Sequence, residues 1–121
     1  MSTRILVVED QEDNRRIVRD LLTSVGYEII EAVTGEEGVA MAEVQHPDLI
    51  LMDIQLPGLD GYEATRRIKA NPALHPIPII AVTSYALSGD DVKAWEAGCD
   101  AYISKPYSPR QLLAKIREFL A

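Results

Sequence analysis

The chain has 121 residues, 47% of them hydrophobic, and is therefore long enough to bury one core without disulfides. Its single cysteine cannot form an internal disulfide, and no apolar segment is typical of a signal peptide or a membrane span. Nineteen acidic residues against twelve basic ones give a formal net charge of -7, which argues against direct binding to DNA or RNA. We expect one cytoplasmic domain over residues 1–121 that binds neither nucleic acid nor membrane.

Five apolar segments rich in β-branched and aliphatic residues predict five strands. In chain order they cover residues 4–8, 27–30, 48–52, 77–82 and 101–104. Three of them are apolar throughout, apart from Arg4 and Asp48 at the first position of two, and show no alternation of apolar with polar residues. This pattern is typical of strands that are covered on both faces in a parallel sheet.

Segments with helical spacing lie between the predicted strands. The first and the last carry a stripe of apolar residues that we expect to face the core. The first stripe consists of Ile17, Leu21, Leu22 and Val25, and the last of Leu112, Leu113, Ile116, Phe119 and Leu120. Four glycines are expected after the first helix, at the start of the second, before the third and at the end of the fourth: Gly26, Gly35, Gly61 and Gly98.

Regular alternation of strands and helices predicts a doubly wound α/β domain with right-handed crossovers. Its five-stranded parallel sheet should have the strand order 2-1-3-4-5. In such sheets ligands bind beyond the carboxyl ends of the strands, next to the point where the strand order reverses. We therefore expect the functional site between strands one and three.

Polar residues directly follow four of the predicted strands. Glu9 and Asp10 follow the first strand, Asp53 the third, Thr83 the fourth and Lys105 the fifth. All five should meet at one edge of the sheet, where three neighbouring carboxylates repel one another. A bound divalent cation would relieve that repulsion.

Mg²⁺ is the expected cation because it prefers oxygen ligands and commonly uses one or two protein carboxylates, with waters and phosphate oxygens completing an octahedron. Asp10 and Asp53 are the expected direct ligands. Glu9 has a longer side chain and would act through water, and the backbone carbonyl of Gln55 is a further candidate. Ca²⁺ fits less well because its sites usually gather more protein oxygens.

A carboxylate beside a metal, a lysine and a hydroxyl has the groups that phosphoryl transfer requires. Asp53 would be the nucleophile. Lys105 would pair with one phosphoryl oxygen, Thr83 would donate a hydrogen bond to another, and Mg²⁺ would take the third.

Five short motifs, taken together, resemble those of the response-regulator receiver domains, a family that includes the chemotaxis response regulator. They are Val7-Val8-Glu9-Asp10, Leu51-Met52-Asp53-Ile54-Gln55-Leu56-Pro57, Gly61, Ala81-Val82-Thr83-Ser84 and Tyr102-Ile103-Ser104-Lys105-Pro106. The resemblance spans the whole chain and implies a flavodoxin-like receiver fold. In its motifs the chain is similar to single-domain cell-cycle regulators and to receivers of hybrid kinases.

The resemblance implies a switch protein of a two-component phosphorelay. Asp53 would be phosphorylated by a histidine kinase or a histidine phosphotransfer protein, with Thr83 as the switching hydroxyl and Lys105 as the phosphate ligand. The Lys105–Pro106 peptide bond would be cis. Such a domain is not an enzyme in the usual sense but promotes its own phosphorylation and dephosphorylation, and positions 55 and 85, here Gln55 and Tyr85, often tune the latter.

Two aromatic residues suggest how the signal would leave the domain. The spacing of the fourth helix predicts that Val92 faces the core while Trp95 lies at the core border. The resemblance places at Tyr102 an aromatic side chain that turns inward when Thr83 moves toward the phosphate. We expect this change to reshape a surface that binds an unknown downstream protein.

Three other functions compete with this interpretation. A flavodoxin-type electron carrier would need a Ser/Thr/Gly-rich phosphate loop after the first strand, but residues 9–13 there are Glu-Asp-Gln-Glu-Asp. An aspartyl phosphohydrolase would need an acid two residues after its nucleophile, where this chain has Gln55. A degenerate receiver that only binds partners is disfavoured because all five strand-end residues are present.

Overall fold

The computed structural model describes residues 3–83 and 90–120, with the side chains of residues 90 and 91 outside the description. Strands and helices alternate along these ranges. The elements are β1 (Arg4–Val8), α1 (Glu12–Ser24), β2 (Glu28–Ala32), α2 (Gly35–Gln45), β3 (Leu49–Asp53), α3 (Gly61–Ala70), β4 (Ile79–Thr83), α4 (Asp90–Ala97), β5 (Ala101–Ser104) and α5 (Pro109–Arg117).

The strands form one parallel sheet in the order β2-β1-β3-β4-β5, which confirms the predicted fold and strand order. Its register aligns the carboxyl ends of the strands. Val8 is opposite Met52, so the residues that follow β1 lie beside the end of β3. Thr83 is opposite Ser104, so Lys105 follows directly beside the end of β4.

The three central strands are the ones that the sequence pattern predicts to be covered on both faces. All residues of β3 and β4 are buried, as are the last four of β1. Their side chains divide between two apolar clusters, one on each face of the sheet, with Leu6, Ile50 and Ile79 in the first and Ile5, Leu51 and Ile80 in the second. The sheet edge that carries the site is thus held by a core on both faces.

Three of the predicted strands, β2, β3 and β4, begin one or two residues later in the structure than the sequence pattern indicates. β2 begins at Glu28 because the amide of Tyr27 instead donates to the Leu22 carbonyl at the end of α1 (3.1 Å). β4 begins at Ile79 because Pro78 has no amide hydrogen and contributes only its carbonyl to the ladder, accepting from Ile50 N (2.9 Å).

The apolar stripe predicted for α1 is partly wrong. Val18 and Leu22, four residues apart, are buried against the sheet, whereas Ile17 is 64% exposed. Ile17 precedes Val18 by one residue, which rotates it by roughly 100° around the helix. Val25 is exposed too, because α1 ends at Ser24 and Val25 is no longer helical.

At the opposite end of the sheet, the largely buried Lys69 connects three segments through hydrogen bonds. The ammonium of Lys69 donates to the carbonyls of His75 (2.9 Å) and Ile77 (2.8 Å) and to Asp100 Oδ2 (2.9 Å). The same carboxylate accepts a hydrogen bond from Ile79 N (2.8 Å). Lys69 thereby joins α3, the segment before β4 and the segment before β5.

Replacing Lys69 with Met should lower the free energy of unfolding by about 2–4 kcal/mol, because it leaves two carbonyls and a carboxylate without their charged donor. Urea denaturation monitored by circular dichroism measures the change. Lys115→Met is the matched control: Lys115 pairs only with Glu118 on the surface of α5 among the described contacts, and its loss should cost about 0.5 kcal/mol or less. Equal losses in the two variants would contradict the structural role of Lys69.

Candidate functional site

The carboxyl ends of β1 and β3 bring three carboxylates together. One oxygen from each of Glu9, Asp10 and Asp53 lies within 4.8 Å of the others. Glu9 and Asp53 are only 6% and 5% exposed, and Asp10 is half-buried at the rim. The structure therefore brings together the three acidic residues that the sequence singles out.

Lys105 provides the positive charge of this cluster. Its Nζ lies 3.2 Å from Glu9 Oε1 and 3.6 Å from Asp53 Oδ2. The lysine follows β5, where its amide donates to the Thr83 carbonyl (2.6 Å), and its peptide bond to Pro106 is cis. One ammonium faces three carboxylates, so the pocket as a whole favours a further cation.

The pKa values of the buried groups reflect this crowding. Burial and the neighbouring Asp53 raise the pKa of Glu9, although the Gln11 amide and Lys105 act in the opposite direction. Burial tends to lower the pKa of Lys105, but Asp53 and Glu9 outweigh it and raise that pKa, so the lysine remains charged. The pocket thus combines a charged ammonium with a Glu9 carboxylate that is costly to keep ionised without a cation.

The backbone around Asp53 is held in place by its neighbours. Asp53 Oδ1 accepts a hydrogen bond from Gln55 N (3.0 Å), and Ile54 N donates to the Val82 carbonyl on β4 (3.0 Å). Gln55, two residues after Asp53, is exposed. These bonds orient the carboxylate and leave its Oδ2 on the side of Lys105.

Gly61 has a role at this point that the sequence pattern does not reveal. We expected it to precede the third helix, but it is the first residue of α3, because Asp60 is the N-cap and accepts from Glu63 N (2.9 Å). A Cβ at position 61 would lie 2.3 Å from the Asp53 carbonyl oxygen and 2.7 Å from Ile54 Cα. Only glycine lets the start of α3 pack directly on the backbone of Asp53.

Tyr107 is a residue of the site that sequence reasoning missed. Together with Glu9, Asp53 and Val82 it lines a small cavity of about 20 Å³ on the inner side of the acidic pocket. Burial raises the pKa of its phenol, which therefore stays neutral. The feature of the sequence that could have indicated this residue is an aromatic side chain two positions after Lys105.

The remaining candidate residues lie around this pocket. Thr83 is fully buried at the end of β4, and Tyr102 on β5 is half-buried against one apolar cluster. Trp95 on α4 is 54% exposed. The prediction that Val92 faces the core is wrong, since Val92 is 52% exposed and α4 instead buries Ala94 and Ala97. The prediction for Tyr85 lies outside the described residues.

The donor set fits a hard divalent cation. Glu9, Asp10 and Asp53 offer oxygen atoms and no sulfur or nitrogen, and their separation allows more than one of them to reach the same ion.

None of the described helices has both the length and the apolar character needed to cross a membrane.

Comparisons with known proteins agree with this geometry. The family model of the response regulator receiver domain matches residues 5–117. The polar-differentiation response regulator DivK of Brucella ovis is 44% identical over 120 residues, which cover 99% of this chain and 98% of the relative.

Among solved structures, the receiver domain of the sensor histidine kinase PA1611 from Pseudomonas aeruginosa PAO1 is 38% identical, with a TM-score of 0.93 over 99% of this chain and 98% of that one. That crystal structure has a magnesium ion coordinated in its active-site cleft. A CheY-like receiver domain from Methanospirillum hungatei JF-1 is 39% identical, with a TM-score of 0.88 over 98% and 93% of the two chains. The chain therefore belongs to the family of response-regulator receiver domains of two-component systems.

Proposed function

We propose that this receiver domain accepts a phosphoryl group on Asp53 from the phosphohistidine of a histidine kinase or a histidine phosphotransfer protein. The observation that carries the proposal is the position of Asp53, buried at the end of β3 with its Oδ2 3.6 Å from the Lys105 ammonium and its Oδ1 fixed by a backbone amide. This arrangement supports Asp53 as the nucleophile and Lys105 as a phosphate ligand.

The chain's own residues account for each part of the transfer. A carboxylate oxygen of Asp53 forms the new O–P bond as the N–P bond of the phosphohistidine breaks, and the electron pair of that bond stays on the imidazole. Lys105 neutralises one phosphoryl oxygen, and the Thr83 hydroxyl donates to another. Glu9 accepts a hydrogen bond from Lys105 (3.2 Å) and so holds the ammonium toward the pocket.

Asp10, Asp53 and the Gln55 carbonyl would hold a Mg²⁺ ion directly, and Glu9 would act through water. Both Glu9 oxygens already have protein donors, Lys105 Nζ for Oε1 and Gln11 N for Oε2 (3.2 Å), which favours this indirect role. The magnesium ion in the cleft of the PA1611 receiver supports the assignment. When bound, Mg²⁺ supplies positive charge to the phosphoryl oxygens.

Incubation with a small acyl phosphate and Mg²⁺ should add one phosphoryl group to the wild-type protein, and Asp53→Asn should abolish this uptake because the nucleophile is gone. Intact-protein mass spectrometry measures the added group. Asp13→Asn is the control, since Asp13 is an exposed acid in the first turn of α1 that pairs with Arg16 outside the cluster. Equal uptake by Asp53→Asn and wild type would overturn the assignment of Asp53.

Mg²⁺ should also raise the melting temperature, because it binds the native state and relieves carboxylate repulsion. At a Mg²⁺ concentration about tenfold above its Kd the gain is about 1.4 kcal/mol, or roughly 5 °C for a domain of this size. Asp10→Asn should reduce this gain, whereas Asp13→Asn should leave it unchanged. Differential scanning calorimetry measures both effects, and a melting curve insensitive to Mg²⁺ in the wild type would count against the site.

The proposed output runs from Thr83 through Tyr102 to the surface that carries Trp95. Thr83 and Tyr102 lie on adjacent strands, two register positions apart, since Tyr102 is opposite Ala81 and Ser104 is opposite Thr83. A phosphoryl group on Asp53 would draw the Thr83 hydroxyl toward it and let the Tyr102 ring turn inward. The phosphate shifts the population only through its different contacts in the two states.

Beryllium fluoride with Mg²⁺, a stable phosphoryl mimic, should change the fluorescence emission of Trp95, the single tryptophan of the chain. Thr83→Ala should lose most of this change because it lacks the hydroxyl, and Thr83→Ser should retain it. Steady-state fluorescence measures the response, and NMR reports whether Tyr102 changes its rotamer. An identical response in Thr83→Ala and wild type, with Tyr102 in one rotamer throughout, would exclude this route.

A further inference from the structure

Arg15 links helix α1 to the acidic site without belonging to the acidic cluster. Its Nη1 donates to the Glu9 backbone carbonyl (3.0 Å), and its Nε pairs with Glu31 Oε1 on β2 (3.0 Å). The arginine side chain is only 15% exposed. Arg15 is thus a nearly buried cation with fixed partners, and it lies next to a site that would bind a second cation.

The Glu9 carbonyl belongs to the peptide bond that leads into Asp10. The other half of the Glu9 backbone is fixed by the sheet, where Glu9 N donates to the Ala32 carbonyl (3.0 Å). The Arg15 guanidinium thus holds the plane of the Glu9–Asp10 peptide, just after the sheet ladder ends. The orientation of this peptide plane affects the direction of the Cα–Cβ bond of Asp10, and so where its carboxylate lies.

Glu31 in turn fixes the guanidinium. It accepts from Arg15 and also from Arg19 one turn further along α1, whose Nη1 lies 3.3 Å from both Glu31 oxygens. The guanidinium of Arg15 has donors in a rigid fork and therefore reaches the Glu31 carboxylate and the Glu9 carbonyl at the same time. A lysine ammonium on a flexible stem cannot reproduce this geometry.

We propose that Arg15 is a positioning residue for the Mg²⁺ site: oriented by Glu31, it fixes the Glu9–Asp10 peptide and thereby the metal-binding carboxylate of Asp10. This inference rests on the proposed function, because it concerns the same metal. Residues that orient metal ligands from outside the coordination sphere typically contribute about tenfold or more to metal affinity.

The sign of the effect separates positioning from simple electrostatics. A positive charge near the site repels Mg²⁺, so if Arg15 acted only through its charge, Arg15→Met would bind Mg²⁺ more tightly. If Arg15 positions Asp10, the same variant binds Mg²⁺ more weakly although a repelling charge has been removed. Arg15→Lys keeps the charge but loses the fork, and it should weaken binding as well.

Isothermal titration calorimetry with MgCl₂ on the full chain measures these affinities. We expect Kd to rise about tenfold in Arg15→Met and Arg15→Lys. Arg19→Met is the matched control: it removes a partner of the same Glu31 but no contact to Glu9, and its Kd should stay within about twofold of the wild-type value. Saturating Mg²⁺ should restore phosphoryl uptake in both Arg15 variants.

A second readout reports on the peptide itself. The Asp10 amide nitrogen belongs to the peptide that Arg15 holds, so its ¹⁵N chemical shift in the metal-free protein should move in Arg15→Lys and not in Arg19→Met. Metal-free urea denaturation compares the stability of the variants, and Glu31→Gln provides a milder change if Arg15→Met does not fold.

Wild-type affinity in Arg15→Lys, or tighter binding in Arg15→Met, would overturn the positioning role while leaving the proposed metal site intact. If the wild-type protein itself takes up no Mg²⁺, the proposed function and this inference both fail. An Asp10 amide shift that stays unchanged in Arg15→Lys would also contradict the inference.

Discussion

The site depends on the contact of the Lys105 ammonium with the buried carboxylates of Glu9 and Asp53. These charges lie where three strands, β1, β3 and β5, end in a sheet that is covered on both faces, so water screens them poorly. The ammonium makes the burial of two carboxylates tolerable, but it does not balance the third, Asp10. The resulting deficit of positive charge is the property that a metal ion and a phosphoryl-transfer reaction would use.

The surrounding fold keeps these charges close and oriented. Gly61 lets α3 pack on the backbone of Asp53, where a single methyl group would collide with the carbonyl. Arg15 holds the peptide between Glu9 and Asp10 from the other side. The acidic residues thus owe their arrangement to neighbours that carry none of the proposed chemistry themselves.

Local sequence patterns predict the parts of this structure that depend on one strand at a time. Uniformly apolar segments indicate buried parallel strands, and the residue after each strand is placed at the sheet edge by topology alone. Glu9, Asp53 and Lys105 were found in this way, and the structure brings them together. The alternation of strands and helices predicts a doubly wound parallel sheet, for which the order 2-1-3-4-5 is one of the two common ones.

Features that depend on contacts between distant segments could not be predicted. A shift of one or two residues around a helix leaves Ile17 and Val92 exposed, and spacing alone does not resolve such a shift. The roles of Gly61, Tyr107 and Arg15 depend on which backbone or side chain comes close in the folded chain. Neither composition nor periodicity indicates which distant groups come into contact with these three residues.

Asp53 is the residue whose carboxylate we propose carries the phosphoryl group. Borohydride reduces an acyl phosphate of aspartate to homoserine, so reduction of the phosphorylated protein followed by peptide mass spectrometry locates the modified residue. We expect homoserine at position 53 alone. Reduction products at Glu9 or Asp10, or none at position 53 in protein that has gained the phosphoryl mass, would contradict it.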